Sequence, residues 1–304
     1  MFFSHLGIIA ILASFTFYII FLIGLAGTDL SSDFRIHGEG EYFPNVTRGR
    51  SKWIEKVCTE FSDPVCHHVH VLFKRKVSFC SAAKVASTTT HNYFFKIAGG
   101  EVAIPKNSRY GAHEANWTRL GSLDPKSRQT LMTSPSWTRV VLLRNVVERF
   151  LSGFLDKVVH DCKAMNDTQL AASRLAISHY YKYGFSCNKH GNFESFLSFM
   201  ETVPAMEGHF SPQTPLCGFL KFPHTDVIIA DKNLDTHLRS LSQRLKVSHP
   251  PEDERTTSHA QGAKGKMSDI FRGRDDLLQR IIALFHQDCI AYPQICEVPV
   301  HEIL

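Results

Sequence analysis

The chain has 304 residues, with 34 Lys and Arg against 29 Asp and Glu, a net charge of +5, and 43% hydrophobic and 21% charged residues. These are ordinary globular values that exclude a disordered, collagenous or coiled-coil protein, and the length is ample for a buried core. The positive excess is mild and no block of five like charges occurs, so nothing points to nucleic acid, although a polyanionic substrate would suit it.

Residues 1–5 read as a short cytoplasmic tail. Residues 6–26 follow without a single charge, about 30 Å as a helix and enough to cross a bilayer's hydrocarbon. The run reads as a signal-anchor, which makes the chain single-pass type II. The competing reading is a cleaved signal peptide, since Gly24 and Ala26 put small residues at a suitable cleavage position. Under either reading the remainder is lumenal: a polar stem over 27–55, then a lumenal domain over 56–304. Three Asn-x-Thr sequons, at Asn45, Asn116 and Asn166, lie on that side and predict glycosylation. So do all eight cysteines, several of which should pair in an oxidising compartment. Cys58 could join Cys66, Cys162 could join Cys187, and Cys289 could join Cys296, while Cys80 in its apolar run reads as a buried free thiol.

Further along, 69–80 predicts one or two strands, 88–98 a helix, 139–143 a β-branched strand and 146–160 a helix. Residues 168–183 and 192–202 read as helices, the second capped by Asn192. A buried strand at 227–230 precedes amphipathic helices at 233–246 and 274–291. Residues 248–268, rich in Pro, Ser, Gly and charge, read as a mobile surface loop. Strands alternating with helices predict an α/β fold on a parallel sheet flanked by helices.

Two segments carry chemistry. After the first strand run comes Ser81-Ala82-Ala83-Lys84-Val85-Ala86-Ser87-Thr88-Thr89-Thr90. A strand, a tight turn with one Lys and several hydroxyls, then a helix can cradle a phosphate on backbone N–H groups, with the Lys as a point charge. The glycines of a Walker A loop are missing, which disfavours a nucleotide kinase. The bland alternative is a Ser/Thr-capped helix with a solvated Lys. The second segment runs from Val140 to Lys157. Arg144 ends a strand there, at the sheet edge where α/β proteins bind ligands, and Ser152 follows two helical turns later. An ordinary surface salt bridge is the competing reading of Arg144.

Taken together the segments resemble the membrane-bound Golgi carbohydrate sulfotransferases, the family that includes chondroitin and dermatan sulfotransferases. Its first motif, roughly P-K-V-A-[CS]-T, is matched by Ala83-Lys84-Val85-Ala86-Ser87-Thr88. Its second, roughly R-D-P-F-E-R-L-x-S-A-[YF]-x-D-K, is matched by Arg144 through Lys157. A third block, His209-Phe210-Ser211-Pro212-Gln213-Thr214-Pro215-Leu216-Cys217, is similar to the family's H-W-x-P-x-x-x-L-C, and Asp226-Val227-Ile228-Ile229 falls where the family has Y-D-x-[IV]-G. Departures mark a divergent member: Ala83 for proline, Asn145-Val146 for Asp-Pro, Phe210 for Trp, and no second cysteine after Cys217.

The resemblance implies a P-loop-like sulfotransferase fold, a Golgi membrane location, and 3′-phosphoadenylyl sulfate (PAPS) as co-substrate without a metal. It implies that Ala83, Lys84, Val85, Ala86, Ser87, Thr88 and Thr89 bind the 5′-phosphosulfate while Arg144 and Ser152 hold the 3′-phosphate. Lys84 and neighbouring N–H groups would stabilise the leaving phosphate. A base must take the acceptor's proton, and His209 or His113 is the candidate. The acceptor class implied is a glycosaminoglycan or glycoprotein glycan, with N-acetylgalactosamine 4-O of chondroitin foremost. Two other readings stay open: a non-catalytic glycan-binding relative, and a secretory-pathway kinase. The run Cys66-His67-His68-Val69-His70 matches no four-ligand zinc spacing, so no metal is expected.

Overall fold

The computed structural model describes residues 35–36, 64–106, 111–167, 177–218, 222–231, 233–247 and 263–298. The apolar run 6–26, Asn45, Cys58, most of the expected helix at 168–183 and the greater part of the loop at 248–268 lie outside the described residues. Among those described, no helix is long and apolar enough to cross a membrane.

One six-stranded sheet organises the molecule. Its strands are β1 (Arg35–Ile36), β2 (Val69–Leu72), β3 (Val77–Ser81), β4 (Thr118–Arg119), β5 (Thr138–Leu143) and β6 (Asp226–Ile229), in the order β1-β6-β5-β3-β2-β4. β1, β6, β5 and β3 run parallel, as the alternation of strands and helices predicts. The sheet is nevertheless mixed, because β2 pairs antiparallel with both β3 and β4. Between β2 and β3 lie only Phe73 to Lys76, closed by the Lys76 N–H on the Phe73 carbonyl at 3.1 Å. So short a connection can only make a hairpin, since a parallel crossover needs a dozen or more residues.

The helices are α1 (Val65–His68), α2 (Ser87–Ala98), α3 (Pro125–Thr133), α4 (Val146–Gly153), α5 (His160–Asp167), α6 (Ser178–Tyr181), α7 (Cys187–His190), α8 (Phe193–Met200), α9 (Gln213–Cys217), α10 (Leu234–Arg244), α11 (Ala263–Phe271), α12 (Asp275–Leu284) and α13 (His286–Ala291). Asn192 caps α8 through the Ser195 N–H at 2.9 Å, as expected. The long helix expected at 146–160 is interrupted: Phe154–Val159 is π-helical between α4 and α5. The helix expected at 274–291 is two, separated at Phe285. The segment expected as loop to 268 is already helical from Ala263.

Strict alternation along β3 and β5 sends Phe79, Val140 and Leu142 to one core with α2 and α10. It sends Cys80, Val141 and Leu143 to the other, where α4, α8 and α12 add Phe150, Phe196 and Ile281. Both faces are therefore covered, which accounts for unbroken burial along β2 and β3. Cys80 is not a free thiol: it pairs with Cys217 of α9, across 137 residues of sequence. The local pairs Cys162–Cys187 and Cys289–Cys296 form as expected. Cys66 is disulfide-bonded as well.

Candidate active site

The three central parallel strands end at one edge of the sheet, and the motif residues lie just beyond them. β3 stops at Ser81, and the chain turns into α2 within five residues. Lys84 (φ 68°) and Ala86 (φ 58°) both adopt left-handed backbone without being glycine. Each such residue costs about 1 kcal/mol or more, so the loop is held open by its surroundings. Ala86 is the N-cap of α2 and offers no side-chain cap. The first N–H from this region to find a carbonyl is that of Thr90, on Ala86 at 3.0 Å. The N–H groups of Lys84 through Thr89 make no hydrogen bond among the described residues, nor do the hydroxyls of Ser87, Thr88 and Thr89. Unpaired N–H groups at a helix start are a ready place for an anion.

Lys84 points to Asp156, with which it forms an ion pair. Asp156 also binds Lys157 at 2.9 Å. Both acidic and basic partners lie on the π-helical turn, a distortion that re-aims side chains and recurs at functional sites. Burial lowers the Lys84 ammonium's pKa, against the bond to Asp156, which raises it. Burial alone would push the Asp156 carboxyl up, but the hydrogen bonds from Lys84 and Lys157 prevail and hold it low.

Arg144 stands one residue past β5. Its N–H donates to the Gln213 side-chain oxygen at 2.9 Å, while the Gln213 amide returns a bond to the Arg144 carbonyl at 2.9 Å. Its guanidinium meets Glu148 at 3.1 Å and the Lys84 carbonyl at 3.1 Å. Nη2 makes no hydrogen bond among the described residues. Asn145, where the resembled motif has Asp, still caps α4 through the Val147 and Glu148 N–H groups at 3.0 and 3.2 Å. Ser152 lies nearly buried on the same helix, without a hydrogen bond for its hydroxyl among the described residues.

The third block is joined to the other two segments by hydrogen bonds of Gln213 and Arg149. His209 Nδ1 lies 2.7 and 2.8 Å from the two oxygens of Glu207, and the His209 N–H donates to the same carboxylate at 3.0 Å. Burial favours protonating Glu207, yet the bonds from His209 and the nearby charge of Lys157 keep it ionised. Arg149, fully buried, joins this block to the Lys84 loop. Its guanidinium donates to the carbonyls of Ala83, Ser211 and Gly208 at 2.9, 2.7 and 3.1 Å. Burial lowers its pKa to about 10, so it stays cationic at neutral pH. Asp288 of α13 accepts from the N–H groups of Gln213 and Thr214 at 2.8 and 2.7 Å, which fixes the start of α9.

Of the residues singled out in the sequence, Ala83 to Thr89, Arg144 and His209 are brought together by this network, and Ser152 stands on the helix that supplies Arg149. His113 lies on the turn Gly111–Glu114, an element that packs against α2. Asn116 is exposed, and the Asn166 side chain lies outside what is described. Sequence reasoning assigned no role to Arg149, Asp156, Glu207, Gln213 or Asp288. The signals were an acid two residues before a histidine and a second arginine five residues after the first. Among the described residues no group of three or more His, Cys, Asp or Glu could hold a metal ion.

Unpaired N–H groups at the carboxyl edge of a mostly parallel sheet, with cations around them, define an α/β protein with its candidate site where such folds place ligands. More particularly, the chain belongs to the sulfotransferase family, whose sequence model matches residues 67–293, well over half of it. The mixed sheet flanked by helices fits a sulfotransferase fold. No curated protein and no solved structure matches the chain.

Proposed function

We propose that the protein transfers a sulfuryl group from PAPS to a glycan hydroxyl, with N-acetylgalactosamine 4-O of chondroitin as the first acceptor to test, from a Golgi membrane-anchored type II chain. The observation that carries the reading is the run of unpaired N–H groups from Lys84 to Thr89 beside the Lys84 ammonium, within the region that matches the family. PAPS supplies an activated sulfuryl group on a phosphate leaving group. Lys84 and the loop N–H groups hold the 5′ end of the nucleotide and neutralise charge that builds there. Arg144 Nη2 and the Ser152 hydroxyl hold the 3′-phosphate. His209 Nε2, which makes no hydrogen bond among the described residues, accepts the proton from the acceptor hydroxyl. Fixed cations do this work, so no metal is needed.

The test is transfer from radiolabelled PAPS to desulfated chondroitin, dermatan, heparan and N-glycan acceptors, with Lys84→Ala beside the wild type. Incorporation into one acceptor, lost in the variant, establishes the activity and names the substrate. Folded protein that neither transfers sulfate nor binds adenosine 3′,5′-bisphosphate would refute it. Glycan binding that survives Lys84→Ala without any transfer would identify a non-catalytic relative instead.

A further inference from the structure

Glu207 and His209 are separated only by Gly208, yet their side chains face each other, and three features hold them so. The Glu207 N–H donates to the Tyr180 hydroxyl at 2.9 Å, tying the loop to α6. The Ser211 hydroxyl donates back to the carbonyls of Met206 and Glu207 at 2.8 and 3.1 Å. Arg149 takes the Gly208 and Ser211 carbonyls from beneath. Every link acts on the loop backbone, so among the described residues the carboxylate has the imidazole as its one direct side-chain partner.

We infer that Glu207 is the positioning residue of an acid–histidine pair, holding His209 in the tautomer whose Nε2 lone pair faces the reaction. An ionised carboxylate can only accept, so the nitrogen that meets it, Nδ1, must carry the hydrogen. In a neutral ring that leaves Nε2 as the bare acceptor, and it stabilises the imidazolium formed when a proton arrives. The His209 hydrogen bond favours the ionised form of the carboxylate, and so do the charges of Lys157 on the π-helical turn and Arg149 on α4. Tyr180, the remaining titratable neighbour, has its phenol pushed up by burial and stays neutral. The inference rests on the sulfuryl-transfer reading in that it gives His209 a proton to accept, but the tautomer is a property of the protein alone.

The full chain, labelled with ¹⁵N at histidine, would be examined at neutral pH, with His209 assigned by its loss in His209→Asn. The expected result is hydrogen on Nδ1 in the wild type and a mixture dominated by hydrogen on Nε2 in Glu207→Ala. Sulfuryl transfer to desulfated chondroitin, or whichever acceptor the panel yields, should fall in kcat roughly 10- to 100-fold in Glu207→Gln. The KM for PAPS should stay within about twofold, and Glu207→Asp should recover part of the rate. In a His209→Ala background, Glu207→Gln should cost nothing more. Hydrogen on Nε2 in the wild type, or full transfer by Glu207→Gln, would overturn the assignment while leaving the activity standing. A chain that binds no adenosine 3′,5′-bisphosphate, whatever its tautomer, would instead remove the reaction that the pair is proposed to serve.

Discussion

The Arg149 guanidinium donates to the Ala83 carbonyl at 2.9 Å, from a position with no exposure to solvent. Its other two bonds go to Ser211 and Gly208, so one buried cation sets the spacing between the loop that carries Lys84 and the loop that carries His209. The ring of Phe285, 5.9 Å from its Cζ, closes the pocket around it. A planar fork with five N–H groups can serve three carbonyls at once, and an ammonium cannot reproduce that arrangement.

Arg149→Met should therefore weaken both halves of the site together. Three carbonyls lose a charged partner, at a cost on the order of 3 kcal/mol in stability. Binding of adenosine 3′,5′-bisphosphate should fall about tenfold or more, because Ala83 is no longer held. Arg149→Lys should be intermediate. Calorimetric titration and urea unfolding check both, and unchanged nucleotide affinity in a folded Arg149→Met would remove the bridging role.

Lys84 and Asp156 form the second relationship with a consequence for binding. The ammonium is already engaged in the free protein, so an incoming anion competes with a carboxylate for it. Asp156→Asn removes that competitor and a negative charge beside the anion loop, while Lys157 stays in place. Affinity for adenosine 3′,5′-bisphosphate should rise roughly three- to tenfold at low salt and lose much of that gain at high salt. Lys84→Ala should lower it in both backgrounds. Weaker binding by Asp156→Asn would mean that Asp156 orients Lys84 for the ligand rather than withholding it.

Much of this was legible in the sequence because it is local. Strand, loop and helix at 77–98 and again at 138–153 follow from apolar runs and the spacing of Lys84, Arg144 and Ser152. What escaped depends on contacts between distant segments. The hairpin partner of β3 is fixed by the four-residue turn at Phe73–Lys76, which a reading of alternating elements passed over. The π-helical turn leaves no signature in hydrophobic spacing. Arg149 could not be told from a solvated helix arginine until Ala83, Gly208 and Ser211 were placed around it.

The disulfide between Cys80 and Cys217 belongs to the same category. Cys80 sits wholly buried on β3, where a thiol would pack well, and its partner lies 137 residues away, so proximity in sequence favoured other pairs. The bond ties the strand feeding the Lys84 loop to the helix that carries Gln213. Replacing both cysteines by Ala should cost about 4 kcal/mol, most of it through the freed unfolded chain. It should also lower nucleotide affinity by loosening the Gln213 grip on Arg144. Replacing Cys289 and Cys296, which close a far shorter loop, should cost less. Equal losses in the two double variants, measured by urea unfolding, would contradict this ranking.

His224 gives the fold a pH dependence that does not involve the site. The ring is buried against Phe222, with Nε2 2.9 Å from the Cys217 carbonyl and no partner for Nδ1 among the described residues. Nε2 donates to that carbonyl, and burial with no partner for a second N–H disfavours the charged ring, bringing its pKa down to about 4. The unfolded chain protonates near the usual value of about 6.5. Because the folded value is the lower one, the unfolded state binds the extra proton as pH falls. The contribution is thus complete above about 6.5 and lost progressively towards 4, with a total of roughly 3 kcal/mol. The carboxyls of Asp156 and Glu207, also held low, give up their share from about pH 5 downward, so the interval above about 5 reports on histidine. Urea midpoints followed by fluorescence of the buried Trp117 and Trp137 should fall between pH 7.5 and 5 in the wild type. In His224→Gln, whose amide can still donate to Cys217, that dependence should flatten even if the variant is less stable overall. A wild-type midpoint that is level across the same interval would show that the ring is charged, or open to water, in the folded state.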